Sequence, residues 1–309
     1  MPLTPEREKN GFLGHDNFKL YHRQTQPEEE LTMKKWALAP LLLLGILLAA
    51  CGTSDNTDTA EGTTGGADVT AAPEKQNSLE TIKASGKLRI GTEGTYSPFT
   101  YHDADGTLTG FDVDIAREIA KRIGVEAEFI ETQWDGIFAG MDAKRFDAIF
   151  NEVSITDERK VKYDFSEPYV MSKAVLIVSE KNTDIKSFAD LKGKKSGQSL
   201  TSNLSDIARQ NGAEIVAVEG FNQAIDLLVS GRIDATVNDG LSFLDLKKQK
   251  PDVQIKQVDE IAEGSQSAAV FLKGNEELVE AVNGALADMK QDGTYLAISE
   301  KYFGADVSK

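Results

Sequence analysis

The sequence predicts an α/β protein of two similar lobes that share a cleft, and three observations carry that prediction. From Ser78 onward, strand-like and helix-like segments alternate. A seven-residue stretch recurs 87 positions later in the same setting. Each copy reads as a buried strand running into a polar loop, the place where ligands of open α/β sheets bind.

The elements follow in order. Lys87–Gly91 reads as a short strand. Phe111, Ile115, Ile119 and Ile123 lie four apart, which predicts an amphipathic helix over Phe111–Ile123, closed by Gly124. Glu126–Ile130 reads as a strand, Trp134–Ala143 as a helix and Phe146–Phe150 as a buried strand. The repeat pairs Arg145-Phe-Asp147-Ala148-Ile-Phe-Asn151 with Arg232-Ile-Asp234-Ala235-Thr-Val-Asn238. Both copies follow a helix, Trp134–Ala143 in one case and Asn222–Ser230 in the other. The residues just after Phe150 and Val237 are therefore where a ligand is sought.

The amino-terminal fifty residues read as an address. Met33-Lys34-Lys35 precedes an uncharged stretch from Trp36 to Ala50, the two opening regions of a secretory signal. Fifteen apolar residues are too few for a helix across a bilayer core of about 30 Å. Leu48-Ala49-Ala50-Cys51 resembles a bacterial lipobox, which implies lipidation of Cys51 and cleavage before it. Residues 1–32 stand in front of that complete signal and read as a leader extension or as upstream of the true start. Residues 51–77 are Gly, Thr, Asp, Ala and Ser-rich, a composition expected of a flexible tether. The expected location is the outer face of the cytoplasmic membrane, or the periplasm.

Composition narrows the chemistry. The 309 residues carry 50 acids against 34 bases, a net charge of −16. Removing residues 1–50 takes away six acids and six bases and leaves that charge unchanged. Such acidity argues against nucleic acid, whose phosphates need clustered cations. One Cys excludes a disulfide framework and multi-cysteine metal sites. His15 and His22 fall in the discarded segment, so His102 alone remains for the folded body, and Ser-His-Asp chemistry or a His-rich metal site is not expected. No cofactor is expected.

Three elements at the strand ends carry charge or free N–H groups. Thr156 suits an N-cap, with Asp157 and Glu158 in the first turn and Arg159 near the third helical position. A planar guanidinium there suits bidentate grip of a carboxylate, or else pairs with Asp157 or Glu158 on a solvated face. Asp239, after the second strand, suits an ammonium ligand or caps the Leu241–Lys248 helix. The loop around Ser202 and Asn203 precedes a helix and offers an anion site, or simple capping. An Arg, a helix start and an Asp together describe a receptor for the α-carboxylate and α-ammonium of an amino acid. Tyr96 and Trp134 either flank its side chain or pack in the core.

With these residues in place, the stretch from Ser78 to Lys309 resembles the family 3 extracellular solute-binding proteins, the polar amino acid receptors of ABC importers. The resemblance rests on Gly91-Thr-Glu-Gly-Thr-Tyr96-Ser-Pro-Phe99, Gly110-Phe-Asp-Val-Asp114, Ser154-Ile-Thr-Asp-Glu-Arg159, Tyr163-Asp-Phe-Ser-Glu-Pro-Tyr169, Gly231-Arg-Ile-Asp234 and Lys301-Tyr-Phe-Gly304. It implies a type II periplasmic-binding-protein-like fold with two crossover strands, near Met171–Val178 and Gly264–Leu272. Lobe one then comprises 78–173 and 270–309, lobe two 174–269, and the lobes close on the ligand about a hinge. It further implies Arg159 on the ligand carboxylate, Asp239 on the ammonium, Ser154 as a hydroxyl donor, Ser202-Asn203 as the lobe-two anion loop and Tyr96 as an aromatic lid.

Glu-Gly-Thr-Tyr96 and Thr132-Gln-Trp-Asp135 look most like the cystine-binding branch. A body free of Cys suits such a carrier, since no thiol can exchange with the ligand's disulfide. Glu152 departs from the neutral amide common in that branch, and an anion there suits a cationic or differently bonded side chain. Other polar amino acids therefore remain open: glutamine, glutamate or a cationic one. So does an enzyme on the same scaffold similar to cyclohexadienyl dehydratase, with Glu93 or Glu152 as acid or base. The intact Arg159 and Asp239 pair argues for binding without turnover. The expected partners are an ABC permease, its ATPase subunit and, through the lipid, a membrane, and the expected state is a monomer.

Overall fold

The computed structural model describes residues 78–309. The expected signal at 33–50, the lipidated Cys51, the tether at 51–77 and segment 1–32 lie outside the described residues. Lobe one opens with helix α1 (Ser78–Ser85) and strand β1 (Lys87–Thr92), then the small antiparallel strands β2 (Thr95–Tyr96), β3 (Thr100–His102) and β4 (Leu108–Thr109). Helix α2 (Phe111–Ile123), β5 (Glu126–Glu131), α3 (Trp134–Asp142), β6 (Ala148–Ile149), α4 (Asp157–Lys162) and β7 (Tyr163–Phe165) follow. Strand β8 (Val170–Ser172) leads into lobe two, which holds β9 (Ala174–Ser179), β10 (Lys195–Gln198), α5 (Asn203–Gln210), β11 (Glu214–Ala217), α6 (Phe221–Val229), β12 (Ala235–Asp239), α7 (Gly240–Gln249) and β13 (Ile255–Glu260). The chain returns through β14 (Ser265–Ser267) and β15 (Val270–Leu272) and ends in α8 (Glu276–Asp292) and α9 (Thr294–Phe303).

The two main sheets share one topology. The order is β5-β1-β6-β15-β7 in lobe one and β11-β10-β12-β9-β13 in lobe two. In each, the first three strands are parallel and the crossover strand, β15 or β9, runs antiparallel to its neighbours. Between the lobes, β8 and β14 form a two-stranded antiparallel ribbon, with Ser265 opposite Ser172 and Ser267 opposite Val170.

The seven-residue repeat occupies equivalent places in these sheets, and its identities have physical causes. Asp147 accepts from the Arg89 N–H of β1 at 2.9 Å and Asp234 from the Lys195 N–H of β10 at 2.8 Å, so each Asp ties the turn before its own strand to the neighbouring parallel strand. The residue before each repeat takes a left-handed turn, at Lys144 (φ 56°) and Gly231 (φ 70°). Phe146 and Ile233 then drop onto a glycine of the neighbouring strand, β1 or β10. A Cβ on Gly91 would meet Phe146 at 2.6 Å, and one on Gly197 would meet Ile233 at 2.7 Å. Strand β6 is shorter than the sequence suggests, but the N–H groups of Asp147 and Phe150 bond to Arg89 and Gly91, so the paired stretch reaches Phe150.

Strand β9, covered on both faces, reads as a continuous apolar run. In β9, Leu176 and Val178 pack in one cluster while Val175 and Ile177 pack in the other, the two-residue period of a strand. In lobe one the larger core joins α2 to α8 and α9 around Leu88, Ile90, Phe111, Ile115 and Ile119. The opposite face holds Trp134, Ile137, Met141, Phe146 and Ile149. Trp134, one of the residues singled out from the sequence, lies on that face.

Candidate functional site

A cleft of about 670 Å³ of open space lies between the lobes at the carboxyl ends of β1, β6, β10 and β12. Eight of the nine residues singled out from the sequence line it: Glu93, Tyr96, Trp134, Glu152, Ser154, Ser202, Asn203 and Asp239. The ninth, Arg159, stands behind the lining. Thr156 caps α4 as its sequence suggests, its hydroxyl accepting from the Arg159 N–H at 3.2 Å. The guanidinium lies 5.2 Å from the Trp134 ring and 5.1 Å from that of Phe138, and its Nη1 donates to the Ser154 carbonyl at 2.8 Å. Among the described residues no ion pair engages it, and Nε and Nη2 have no hydrogen-bond partner. It therefore does not pair with Asp157 or Glu158. Cation–π contact holds the charge in place with N–H groups to spare.

Asp239 caps its helix, as one of its readings expects, and it also stands in the cleft. Its Oδ1 caps α7, accepting from Leu241 N–H at 2.8 Å and Ser242 N–H at 3.2 Å, and the residue also lines the cleft while only 4% exposed. Ser202 caps α5 through Leu204 N–H at 3.1 Å, and Asn203 Nδ2 reaches across to Ser154 Oγ at 3.3 Å. From lobe one, the Tyr96 hydroxyl donates to Asn238 Oδ1 at 2.8 Å. These bonds cross the cleft, so the lobes stand closed.

Sequence reasoning singled out the repeat but missed what its last residue does. Asn151 brackets Glu93, accepting its N–H at 2.7 Å and donating Nδ2 to Oε2 at 2.6 Å. Asn238, its counterpart, holds Tyr96. Their signal was the identity at the end of both copies, and both line the cleft. Gln198, Thr236 and Phe221 line it as well, with no sequence signal beyond position.

Carboxylates crowd this cleft. Burial pushes Glu93 up to about 7, with the bonds from Asn151 and the Trp134 backbone pulling the other way. Burial also raises Asp239 to about 6, against the Ser172 hydroxyl and the backbone N–H groups of its helix. Glu152, in a left-handed turn at φ 49°, bonds Ser267 Oγ at 2.8 Å and is held well above its usual range by burial and then by the charge of Asp239. Behind it, Asp112 accepts the Glu152 N–H and is raised to about 7, chiefly by burial. Desolvation lowers Arg159 to about 10, with Glu152 opposing. Three acids with folded values above their unfolded ones bind extra protons in the folded state. Their contribution to stability is full below about 4 and is lost as pH rises through about 6 to 7. The unliganded protein is thus expected to melt several degrees higher at pH 5.5 than at pH 8, measured by calorimetry. Equal melting temperatures would show that these carboxylates are solvated.

Two α/β lobes with matched topology, a two-strand hinge and a closed polar cleft define a hinged receptor for a small charged molecule. The chain belongs to the bacterial extracellular solute-binding proteins, family 3, which it matches over residues 88–305. It is 46% identical over 279 residues to the L-cystine-binding protein TcyA of Bacillus subtilis (strain 168), covering 90% of this chain and all of that one. Among solved structures it resembles an ancestral arginine-binding protein bound to arginine, at 41% identity and a TM-score of 0.67, covering 71% of this chain and 98% of that one. It also resembles the L-cystine solute receptor of Neisseria gonorrhoeae in its unliganded open conformation, at 44% identity and a TM-score of 0.51, covering 75% and 98%. The poorer superposition at slightly higher identity agrees with the closed cleft seen here.

Proposed function

We propose that this protein is the substrate-binding lipoprotein of an amino acid ABC importer, capturing L-cystine between its lobes and handing it to a membrane permease. One observation carries the reading: a single closed cleft is lined on lobe two by the buried carboxylate of Asp239 and backed on lobe one by the Arg159 guanidinium, which has N–H groups to spare. Arg159 takes the α-carboxylate in a bidentate grip, assisted by the Ser202–Asn203 loop, and Asp239 takes the α-ammonium. Trp134, Tyr96 and Phe221 present aromatic faces to the disulfide. The cystine-binding relatives support this choice of ligand. The anions Glu93 and Glu152 favour a second reading, an amino acid with a cationic side chain, and the arginine-bound relative supports that one. Cys51 anchors the chain to the outer face of the membrane, with residues 51–77 as tether. The ligand is expected to leave unchanged, and incubation with prephenate or arogenate is expected to yield no aromatic product.

A thermal-shift panel of the twenty amino acids and L-cystine tests the ligand. A ligand at about a hundredfold its dissociation constant adds about 2.7 kcal/mol to stability. L-cystine is expected to give the largest rise in melting temperature, and a larger rise with arginine or lysine would select the second reading. Capture of the ammonium requires Asp239 to be ionised. Affinity is therefore expected to fall as pH drops below about 6, up to about tenfold per unit. A flat profile from pH 8 to pH 5 would remove Asp239 from the ammonium.

A further inference from the structure

Closure is held by contacts that lie outside the ligand cleft. Asp135 is the second residue of α3, exposed, on lobe one and beside Trp134. Its Oδ1 accepts from the Thr201 N–H at 3.0 Å and from the Thr201 hydroxyl at 2.9 Å, and its Oδ2 accepts from the Leu200 N–H at 3.1 Å. Leu200 and Thr201 belong to the lobe-two loop between β10 and α5, whose next residues are Ser202 and Asn203. One carboxylate thus receives three donors from the loop that supplies binding residues. Asp135 does not itself line the cleft.

A second, separate contact joins the lobes at Ser97. Its carbonyl accepts from Ser242 Oγ at 3.0 Å, and its hydroxyl donates to Asp245 Oδ2 at 2.8 Å. Bonds to a carboxylate are stronger than neutral ones, and three of them meet at Asp135 against one at Asp245, so the contact at Asp135 is the stronger of the two.

We propose that Asp135 is a closure-stabilising residue, which fastens the lobe-two loop to lobe one and so sets how slowly a captured ligand leaves. The argument is one of linkage. Asp135 and its donors sit on different lobes, and opening breaks all three bonds together. A contact present only in the closed form shifts the open–closed equilibrium toward closure. A ligand enters the open form, where the clamp is unmade, and leaves only after closure is undone. The clamp therefore acts on dissociation and spares association.

For its ligand arm the test rests on the cystine reading above. It uses the full chain carrying Cys51→Ser, with L-cystine as the probe and stopped-flow tryptophan fluorescence as the signal. Asp135→Ala is expected to raise the dissociation rate about tenfold while the association rate stays within about twofold. Thr201→Val, which removes one donor of three, gives a smaller rise in the same direction. A merely structural role would lower the melting temperature and leave that kinetic split unmade. A second arm needs no ligand: dyes at Lys83→Cys and Lys186→Cys, exposed positions on opposite lobes, report the closed fraction of the free protein. Asp135→Ala is expected to lower that fraction. If the parent chain ignores L-cystine, the ligand reading fails and the dye pair alone decides the clamp. Unchanged dissociation in a variant that binds, or an unchanged closed fraction, overturns the proposal.

Discussion

Arg159→Ala is expected to abolish amino acid binding at ordinary concentrations, with an affinity loss of about thirtyfold to several thousandfold. Truncating one member of a desolvated charge pair costs about 2–5 kcal/mol, because the partner charge is left buried without compensation. The side chain is well suited to that role. Its guanidinium is fixed between Trp134 and Phe138 and tied to the Ser154 carbonyl by one N–H, with Nε and Nη2 left over. Little rotamer entropy remains to be lost when a carboxylate arrives. Arg159→Lys keeps the charge but not the planar fork or the aromatic contact, and is expected to recover only part of the loss. Titration calorimetry of both variants reads the outcome directly. Full affinity in Arg159→Ala would mean that the carboxylate is held elsewhere, for which the Ser202–Asn203 loop is the next candidate. Because no carboxylate depends on Arg159 for pairing in the unliganded protein, melting temperature is expected to change little.

Phe111→Ala is expected to have the largest effect on stability, about 3–5 kcal/mol. The ring is fully buried and lies 5.1 Å from Phe303, 6.0 Å from Tyr295, 6.2 Å from Tyr169 and 6.3 Å from Tyr302, centroid to centroid. It is the first residue of α2, so it fastens that helix to the returning chain end. A loss of that size corresponds to roughly 10 °C in melting temperature for a domain of about this size. Phe111→Leu, which fills most of the volume, should lose far less. A change below about 1 kcal/mol in Phe111→Ala would show that the C-terminal helices re-pack, against a core of close interior density.

Much of this was legible in the sequence, for reasons that particular residues make clear. The four-residue spacing of Phe111, Ile115, Ile119 and Ile123 is a local signal, and α2 spans that range. The repeat was legible because both copies solve the same local problem: an Asp tied to the neighbouring parallel strand and a large residue settling on that strand's glycine. The Gly110–Asp114 and Lys301–Gly304 motifs were visible separately, but their meeting was not. In the fold Asp114 accepts from Lys301 Nζ and from the Tyr302 hydroxyl, each at 2.7 Å, a contact between segments 187 and 188 positions apart. Pairings at that separation leave no periodicity to read. The double placement of Asp239, capping α7 while lining the cleft, was hidden for another reason, since a helix cap and a cleft carboxylate ask for the same residue at the same place. The cross-cleft bonds of Tyr96 and Asp135 depend on closure, which no local pattern encodes.

The cleft is proposed to capture L-cystine as a zwitterion without turning it over. Titration calorimetry of the full chain with L-cystine at pH 7.5 tests it most directly. A saturable heat with one site per chain is expected, with a dissociation constant on the order of micromolar or below, as charge-assisted bonds in a closing cleft allow. Absence of any saturable heat with L-cystine, under conditions where arginine or another amino acid saturates the same chain, would contradict it.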